Sequence, residues 1–407
     1  MKIHKYLFVF SKKFYWSLLS GVLLASLAAL ANFGLLFLSG WLLAGAACAG
    51  LSGIAAQRTF NMVLPATGVR FFATVRILTR YAERLVTHNS ALQLISQIRV
   101  AFYKTIAPQA PAALNTQRGG NLLNQFVVDT DRMGQYYTDT LIPFARAALC
   151  GCFFIAIFAY FSLHAALCIA VSFAVSGFFI PFLTGLFSDK ILYRASTLQN
   201  TFQSEVTDTL NCLGEYLTLG AAQKQKNYLA QQQASFLKLQ LSLAGIESLA
   251  QAATRLCSTI TTLAVLYYAA QELTQHTLSL PEVPMLVLGC LAACDVLNPL
   301  PAARQSLGTA RLAMQRLTHA YTTLEPVEQQ NYALTINQPL TLRLQDVSFQ
   351  YPHTQQWVFH HANLTIHRGK RVSIIRPSGS GTSSHLSLLV GVYAYHQGPA
   401  FLCDTTL

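Results

Sequence analysis

The sequence predicts a mainly α-helical membrane protein with six spans, followed by a short α/β segment. Hydrophobic residues make up 53% of the 407 residues and charged residues only 11%, whereas soluble domains contain about 25% charged residues. Residues 14–57 and 147–188 contain no charged side chain, and one span needs about 20 apolar residues. Beyond residue 340, apolar and polar residues alternate, which is typical of a β-strand.

The first four spans follow from the two charge-free stretches. The first fills most of residues 14–57, and the second starts at the end of that stretch. The third and fourth divide residues 147–188, with a hairpin turn predicted at residues 161–164. A cleaved signal peptide is the alternative for residues 2–32, but its apolar core would be only about 7 to 15 residues long. We therefore expect this segment to be retained as a span.

Two shorter apolar runs predict the fifth and sixth spans. Residues 256–271 and 283–294 reach spanning length with their uncharged neighbours, and the polar residues 274–277 separate them. Long amphipathic segments rich in Gln, Leu and Ala lie between spans 2 and 3 and between spans 4 and 5. Their periodicity predicts helical extensions of the spans into the cytoplasm, with turns at Gly119–Gly120 and Leu219–Gly220.

Lysine and arginine are unevenly distributed over the predicted loops. They total 28 against 16 acidic residues, which gives a net charge of +12. The predicted outer loops, around residues 47–56, 162–165 and 271–283, contain none of them. The basic residues on the other side are Lys2, Lys5, Lys12, Lys13, Lys190, Arg194, Lys224, Lys226 and Lys238. This asymmetry predicts that both termini are cytoplasmic and explains the basic excess without a nucleic-acid partner; Arg58, near an outer loop, is the exception.

The nine cysteines lack the paired CxxC spacing of a metal site. They are Cys48, Cys150, Cys152, Cys168, Cys212, Cys257, Cys290, Cys294 and Cys403. Most lie in apolar stretches, so we expect them to be small packing residues, with no disulfide framework and no bound metal.

The end of the chain has the pattern of a strand, a glycine-rich loop and a helix. Strands are predicted at Leu340–Phe349 and Arg371–Ile375, and a helix at His385–Val390. The intervening loop, residues 376–384, resembles the phosphate-binding pattern G-x-x-x-x-G-K-[ST], in which backbone N–H groups and the lysine bind phosphates and the hydroxyl holds Mg²⁺. Here Arg376 replaces the first glycine and Thr382 replaces the lysine.

A degenerate nucleotide site is therefore expected in this loop, and the alternative for the loop alone is a Ser/Gly turn without function. Tyr351 precedes the loop at a distance where an aromatic ring can stack on adenine. The other residues of this expected site are Gly379, Ser380, Gly381, Thr382, Ser383 and Ser384.

With these features, the sequence resembles the ABC exporter half-transporters. Within that superfamily it is similar to the CydC-type subunits of the heterodimeric transporter for cytochrome bd biogenesis, also described as a thiol-reductant (glutathione/cysteine) exporter. The resemblance covers almost the whole chain, and Tyr351 takes the place of the adenine-stacking residue. Its most specific stretches are Leu38–Leu43, Leu64–Arg70 and Arg80–His88.

The resemblance implies a type IV exporter domain with six helices at residues 1–323, a linker at 324–340 and an incomplete α/β P-loop nucleotide-binding domain at 341–407. It also implies a multi-pass protein of the bacterial inner membrane, paired with a homologous full-length subunit. The cofactors implied are ATP with Mg²⁺, and haem. The cargo implied is haem or a thiol such as glutathione or cysteine, needed for cytochrome bd assembly.

Most of the family's nucleotide machinery has no counterpart in residues 341–407. The Q-loop, signature motif, Walker B carboxylate, catalytic glutamate and switch histidine are absent from this sequence, and these groups coordinate Mg²⁺ and activate water. We therefore expect that this chain alone does not hydrolyse ATP and that its transport function is impaired. The alternatives are a membrane protein that binds without transporting, and a remnant that does not accumulate.

Four residues of the second span, Arg76, Arg80, Arg84 and His88, are spaced by four and share one side of a helix. Charges at membrane depth usually face a cavity or a partner. The line therefore favours an anionic substrate, such as glutathione with two carboxylates or haem with two propionates. The alternative is that Arg80, Arg84 and Glu83 lie beyond the bilayer and pair with one another or with lipid phosphate.

If haem binds, His88 is the expected axial ligand and Arg84, one turn away, the expected partner of a propionate. Asp295 is the acid within the apolar sixth span. An ionisable group at this depth is a candidate for a functional site or for the counter-ion of an arginine.

Overall fold

A computed structural model describes most of the chain. The described residues are 2–107, 125–323, 341–351, 354, 356–373, 375, 377, 381–389, 398, 400–402 and 405–406. They form two compact units: one contains residues 1–101 and 120–320, and the other contains residues 102–119 and 321–407. The predicted linker at 324–340 and the predicted turn at Gly119–Gly120 lie outside the described residues.

Long helices dominate the larger unit. In chain order they are α1 (Lys2–Leu51), α2 (Ile54–Thr59), α3 (Val63–Ile106), α4 (Thr130–Tyr136), α5 (Ile142–Phe161), α6 (Leu163–Ala174), α7 (Ile180–Asn211), α8 (Leu213–Thr218), α9 (Ala222–Thr274), α10 (Glu282–Asp295) and α11 (Leu300–Thr323). A π-helical turn, Gln125–Asp129, leads into α4, and the π-helical turns Tyr137–Leu141 and Val175–Phe179 join α4 to α5 and α6 to α7 into nearly continuous rods. The described parts of the predicted extensions are therefore helical, as expected.

Five segments of the described chain are long and apolar enough to cross a membrane. They are Tyr15–Leu51, Phe126–Phe161, Leu163–Asn211, Ala222–Thr274 and Glu282–Thr318. The helix α3, predicted as the second span, is 44 residues long but is not among them. Its first half carries Arg70, Arg76 and Arg80, which interrupt the apolar run.

The turns between the spans fall close to the predicted positions. The hairpin between α5 and α6 turns at Ser162, whose side chain accepts a hydrogen bond from the N–H of Ala165, as an N-cap does. The helix α9 ends at Thr274, within the predicted break, and Gly220 adopts φ +64° at the far turn. The second span was predicted to start before residue 57; it starts at Val63 because the short helix α2 intervenes.

The half of the bundle next to the Ser162 hairpin, named the outer half below, contains the main hydrophobic core. Phe33 of α1 contacts Phe154 of α5 with ring centroids 4.6 Å apart, and Phe158 and Leu286 are fully buried beside them. Cys290 and Cys294 of α10 lie in this core, which agrees with cysteines as packing residues. A Cβ on Gly40 would come within 2.6 Å of the backbone oxygen of Pro284, so glycine permits the close approach of α1 and α10.

The described part of the smaller unit contains an antiparallel sheet. Its strands are β1 (Thr341–Gln350), β2 (Trp357–His367), β3 (Ala400–Leu402) and β4 (Thr405–Thr406), in the order β2-β1-β3-β4. The strand β1 and the helix α12 (Thr382–Leu389) confirm two predicted elements.

The strand predicted at Arg371–Ile375 is wrong for the described residues of that segment. Residues 371–373 are irregular and exposed, and Ile375 is 89% exposed. A strand requires hydrogen bonds to a neighbouring strand, and none of the described strands pairs with this segment. Residue types typical of a strand are therefore present here without a pairing partner among the described strands.

Candidate functional site

The residues expected to form a nucleotide site are partly brought together in the smaller unit. The hydroxyl of Tyr351 lies 2.6 Å from the hydroxyl of Ser384, and the Tyr351 ring packs against Phe349 at 5.2 Å. Ser384 is buried and Ser383 is exposed near the start of α12. Tyr351 thus lies beside the glycine-rich loop, with its hydroxyl hydrogen-bonded to a residue of that loop.

The backbone of the loop is only partly described. Gly381 has φ +93°, and a Cβ there would come within 2.4 Å of Val358, so this position requires glycine. Gly379 and Ser380 lie outside the described residues, and for Thr382 the structure describes the backbone alone. A threonine at the lysine position does not fit the role of neutralising β and γ phosphates. We therefore assign no step of ATP hydrolysis to the residues of this loop.

The line of cations on α3 is only partly free of intramolecular contacts. Arg76 is half-buried, and its Nη1 donates to Oδ1 of Asn32 on α1 at 3.0 Å. Arg80, Arg84 and His88 are exposed. The structure thus places three of the four residues on an open surface of the larger unit, while Arg76 joins α3 to α1.

A half-buried arginine of α5 lies close to this surface. Arg146 interacts electrostatically with Glu83 and Arg80 of α3, and its Nε is buried without a hydrogen-bond partner among the described atoms. The line on α3 therefore belongs to a larger group of charges in which positive charge is in excess. Such a surface attracts anions.

Asp295 lies at the end of α10, where the chain turns toward α11. The side chain is exposed, and its Oδ1 accepts a hydrogen bond from Asn298 at 3.3 Å. No arginine or lysine pairs with it within the part of the chain that the structure describes. The predicted role as counter-ion of an arginine is therefore not seen among these residues.

Sequence reasoning missed a buried ion-pair network in the helical extension of the bundle, away from the Ser162 hairpin. Asp129 is fully buried and accepts two hydrogen bonds from Arg316, Nε to Oδ2 at 2.8 Å and Nη2 to Oδ1 at 2.5 Å. Arg316 also donates to Ser196 of α7, and Arg132 donates to Gln199 at 3.3 Å. Asp129 and Arg316 are 187 positions apart, so no local pattern in the sequence indicates this pair.

Comparison with known proteins identifies the family. Residues 18–289 match the model of the ABC transporter transmembrane region. The chain is 28% identical to the Escherichia coli (strain K12) glutathione/L-cysteine transport system ATP-binding/permease protein CydC, over 97% of this chain and 69% of that protein. It is 23% identical to the Bacillus subtilis (strain 168) CydD protein of the same description, over 90% of this chain and 63% of that protein.

A solved structure shares the fold. A bacterial Atm1-family ABC exporter with ATP bound superposes with a TM-score of 0.77 at 14% sequence identity, covering 97% of this chain and 69% of the exporter chain. This confirms the predicted architecture, a helical exporter domain followed by part of an α/β nucleotide-binding domain. Since the family model covers well over half of its residues, the chain belongs to the ABC transporter transmembrane-region family.

Proposed function

We propose that this chain is the membrane subunit of a heterodimeric, ATP-driven transporter that moves a thiol, glutathione or cysteine, across the bacterial inner membrane. The observation that carries the proposal is the similarity over 97% of the chain to a protein described as part of a glutathione/L-cysteine transport system. The exposed cations of α3 support it, because glutathione carries two carboxylates. We further propose that this transport serves the assembly of cytochrome bd.

In this proposal the chain is divided as the sequence suggests. Residues 1–323 form the membrane domain, residues 324–340 are the linker, and residues 341–407 form part of a nucleotide-binding domain. Both termini lie in the cytoplasm. A homologous full-length subunit supplies ATP hydrolysis, because the degenerate loop of this chain lacks the phosphate-binding lysine.

Arg80, Arg84 and His88 attract the anionic cargo in this scheme. Their side chains are exposed on one side of α3, and the unneutralised arginines raise the local concentration of an anion before it enters the bundle. The attraction weakens as salt concentration rises, because exposed charges are screened.

The test is an ATPase assay of the chain copurified with a homologous full-length partner. Reduced glutathione is expected to stimulate hydrolysis by the wild-type pair, and the double variant Arg80→Gln/Arg84→Gln is expected to need a higher glutathione concentration. Arg58→Gln is the matched control, because Arg58 is an exposed arginine on α2. Failure to form a complex, or an ATPase indifferent to glutathione and cysteine, would refute the proposal.

A second candidate ligand is haem, which the positions of His88 and Arg84 on α3 favour. His88 and Arg84 are exposed one helical turn apart on α3, so an imidazole and a guanidinium are available to the iron and to a propionate. We propose His88 as the axial ligand. Addition of haem is expected to give a Soret band that His88→Ala abolishes and that the control His276→Asn retains; an unchanged band in His88→Ala would exclude this ligand.

The alternative to transport is that the chain is a membrane protein that binds these ligands without transporting them. The same copurified pair separates the two, because coupling requires that ligand binding changes the partner's ATPase rate. Binding of haem or glutathione with a constant ATPase rate would favour the non-transporting protein.

A further inference from the structure

A cavity of about 360 Å³ lies within the larger unit, between α4, α7, α9 and α11. Its polar lining includes Arg132, Gln199 and Glu247. Leu192, Phe236 and Leu243 contribute to its apolar wall. The lining is thus mixed, and the volume is within the range of small-molecule sites.

In the proposed topology, the cavity lies at the cytoplasmic end of the spans. Glu247 is 27 residues from Thr274, the outer end of α9, and at 1.5 Å per residue this is about 40 Å. The hydrocarbon core of a bilayer is only about 30 Å thick. The cavity is therefore beyond the inner face of the membrane, where a ligand can enter from water.

The cation of the cavity is not neutralised by a close carboxylate. Arg132 Nη1 lies 3.9 Å from Oδ1 of Asp129, but both oxygens of Asp129 accept shorter hydrogen bonds from Arg316. The closest polar partner of Arg132 is the side-chain oxygen of Gln199 at 3.3 Å. Donors of the Arg132 guanidinium thus remain for a further carboxylate.

The anion of the cavity is Glu247. Its Oε1 accepts a hydrogen bond from Gln251 at 3.0 Å, and no ion pair to Glu247 occurs among the described residues. One cation and one anion therefore line the same cavity without pairing with each other.

The two charges lie at different levels of the cavity. Arg132 is level with Gln199 on α7. Glu247 is one turn beyond Leu243, which packs against Leu192 and Ala195. Because α9 runs antiparallel to α7, Glu247 is level with about residues 188 to 191 of α7. The distance from that level to Gln199 is about 12 to 16 Å along the helix. The side chains of Arg132 and Glu247 line the cavity and cover part of this distance, but a ligand that meets both charges must still be extended.

We propose that this cavity is the entry site of the cargo and that it takes an extended zwitterionic tripeptide, with Arg132 binding a terminal carboxylate and Glu247 binding the ammonium group. The inference rests on the proposed function and narrows it to glutathione over cysteine. A peptide extends by about 3.3 to 3.6 Å per residue, so an extended tripeptide of about 10 Å, together with the two long side chains, spans the two charges. In a free amino acid the ammonium and carboxylate share one carbon, so it meets only one of them.

The test is calorimetric titration of reduced glutathione into the copurified pair in lipid nanodiscs. Glu247→Gln and Arg132→Gln are each expected to weaken binding about tenfold, because a hydrogen bond to a charged group contributes about 1.5 to 3 kcal/mol. The matched controls Asp208→Asn and Arg311→Gln, on α7 and α11 outside the cavity, are expected to bind as the wild type does. Cysteine is expected to bind at least tenfold more weakly than glutathione.

A charge-deleted ligand excludes an effect of misfolding. N-acetylglutathione lacks the ammonium group, so it is expected to bind the wild type more weakly, and Glu247→Gln is expected to cause no further loss with this ligand. Equal losses with both ligands would overturn the proposal, because Glu247 would then act without the ammonium group.

The outcomes separate this proposal from the proposed function. Wild-type binding of glutathione that Glu247→Gln and Arg132→Gln leave unchanged would overturn the cavity proposal alone. Absence of glutathione binding to the wild type would overturn both the cargo and the cavity.

Discussion

The outer half of the helical bundle is packed by aromatic and aliphatic side chains, whereas its helical extension is joined by ion pairs and amides. In the outer half, Phe33, Phe154 and Phe158 pack across α1 and α5 with at most 3% exposure. In the extension, the buried carboxylate of Asp129 is held by Arg316. The difference agrees with the proposed topology, because polar groups in hydrocarbon are costly, whereas water beyond the spans solvates polar groups that the protein leaves unpaired.

This contrast indicates where a ligand can bind. Buried aromatic and aliphatic side chains fill the core of the outer half, and a close-packed core has little empty space for a ligand. The extension instead combines a 360 Å³ cavity with the charged residues Arg132 and Glu247. We therefore expect substitutions in the outer half to affect stability and substitutions at the cavity to affect binding.

The largest effect on stability is expected from Asp129→Ala. Its removal leaves Arg316 in the interior without its carboxylate partner, and breaking a buried ion pair costs about 3 to 5 kcal/mol. The loss is measured as the decrease in the free energy of unfolding during SDS titration of the purified chain. The control Asp131→Asn removes the exposed pair with Arg99 and should cost less than about 1 kcal/mol; equal losses would contradict the contrast.

Phe158→Ala tests the outer half by the same titration. Phe158 is fully buried, and deleting a buried aromatic ring costs about 3 kcal/mol or more because a cavity is left. Phe153 on the same helix is 46% exposed, so Phe153→Ala should have a much smaller effect. A stability of Phe158→Ala equal to that of Phe153→Ala would show that this core is not packed as described.

A smaller loss is expected from Gly40→Val, which tests the close approach of α1 and α10. The new side chain would collide with the backbone of Pro284, and overpacking costs about 1 to 3 kcal/mol. A Cβ on Gly50 would meet no atom within 4 Å, so Gly50→Val is the matched control. If both variants unfold at the same SDS fraction, α1 and α10 do not approach each other closely at Gly40.

The smallest effect is expected from Asp189→Asn. Asp189 pairs with Arg304 at 2.8 Å, but its side chain is 47% exposed, and such pairs contribute at most about 1 kcal/mol. The variant should unfold within this margin of the wild type, and raising the salt concentration should reduce the difference further. A loss comparable to that of Asp129→Ala would mean that water does not reach this part of the extension.

Sequence patterns predicted those parts of the fold that depend on local composition. The hairpin at Ser162 and the break after Thr274 follow from apolar runs and polar interruptions, and β1 follows from alternation along one strand. The strand predicted at Arg371–Ile375 was wrong because alternation does not reveal whether a neighbouring strand pairs with it. The stretch Leu38–Leu43, which carries the resemblance, contains Gly40 at a helix contact.

Sequence patterns predicted only part of the candidate sites. The line from Arg80 to His88 was predicted because its residues repeat every helical turn, and they are exposed in the structure. The cavity combines residues of four helices, and Arg132 and Glu247 are far apart in the chain. A single sequence contains no signal for such a long-range arrangement, so only the three-dimensional structure shows it.

The central proposal is that this chain, paired with a homologous full-length subunit, forms part of a glutathione transporter. The most direct measurement is ATP-dependent accumulation of radiolabelled glutathione by inverted inner-membrane vesicles that contain the chain together with a homologous full-length partner. We predict accumulation above that of vesicles with the partner alone, and its loss in the Arg132→Gln/Glu247→Gln variant. Equal accumulation with and without this chain would contradict the claim.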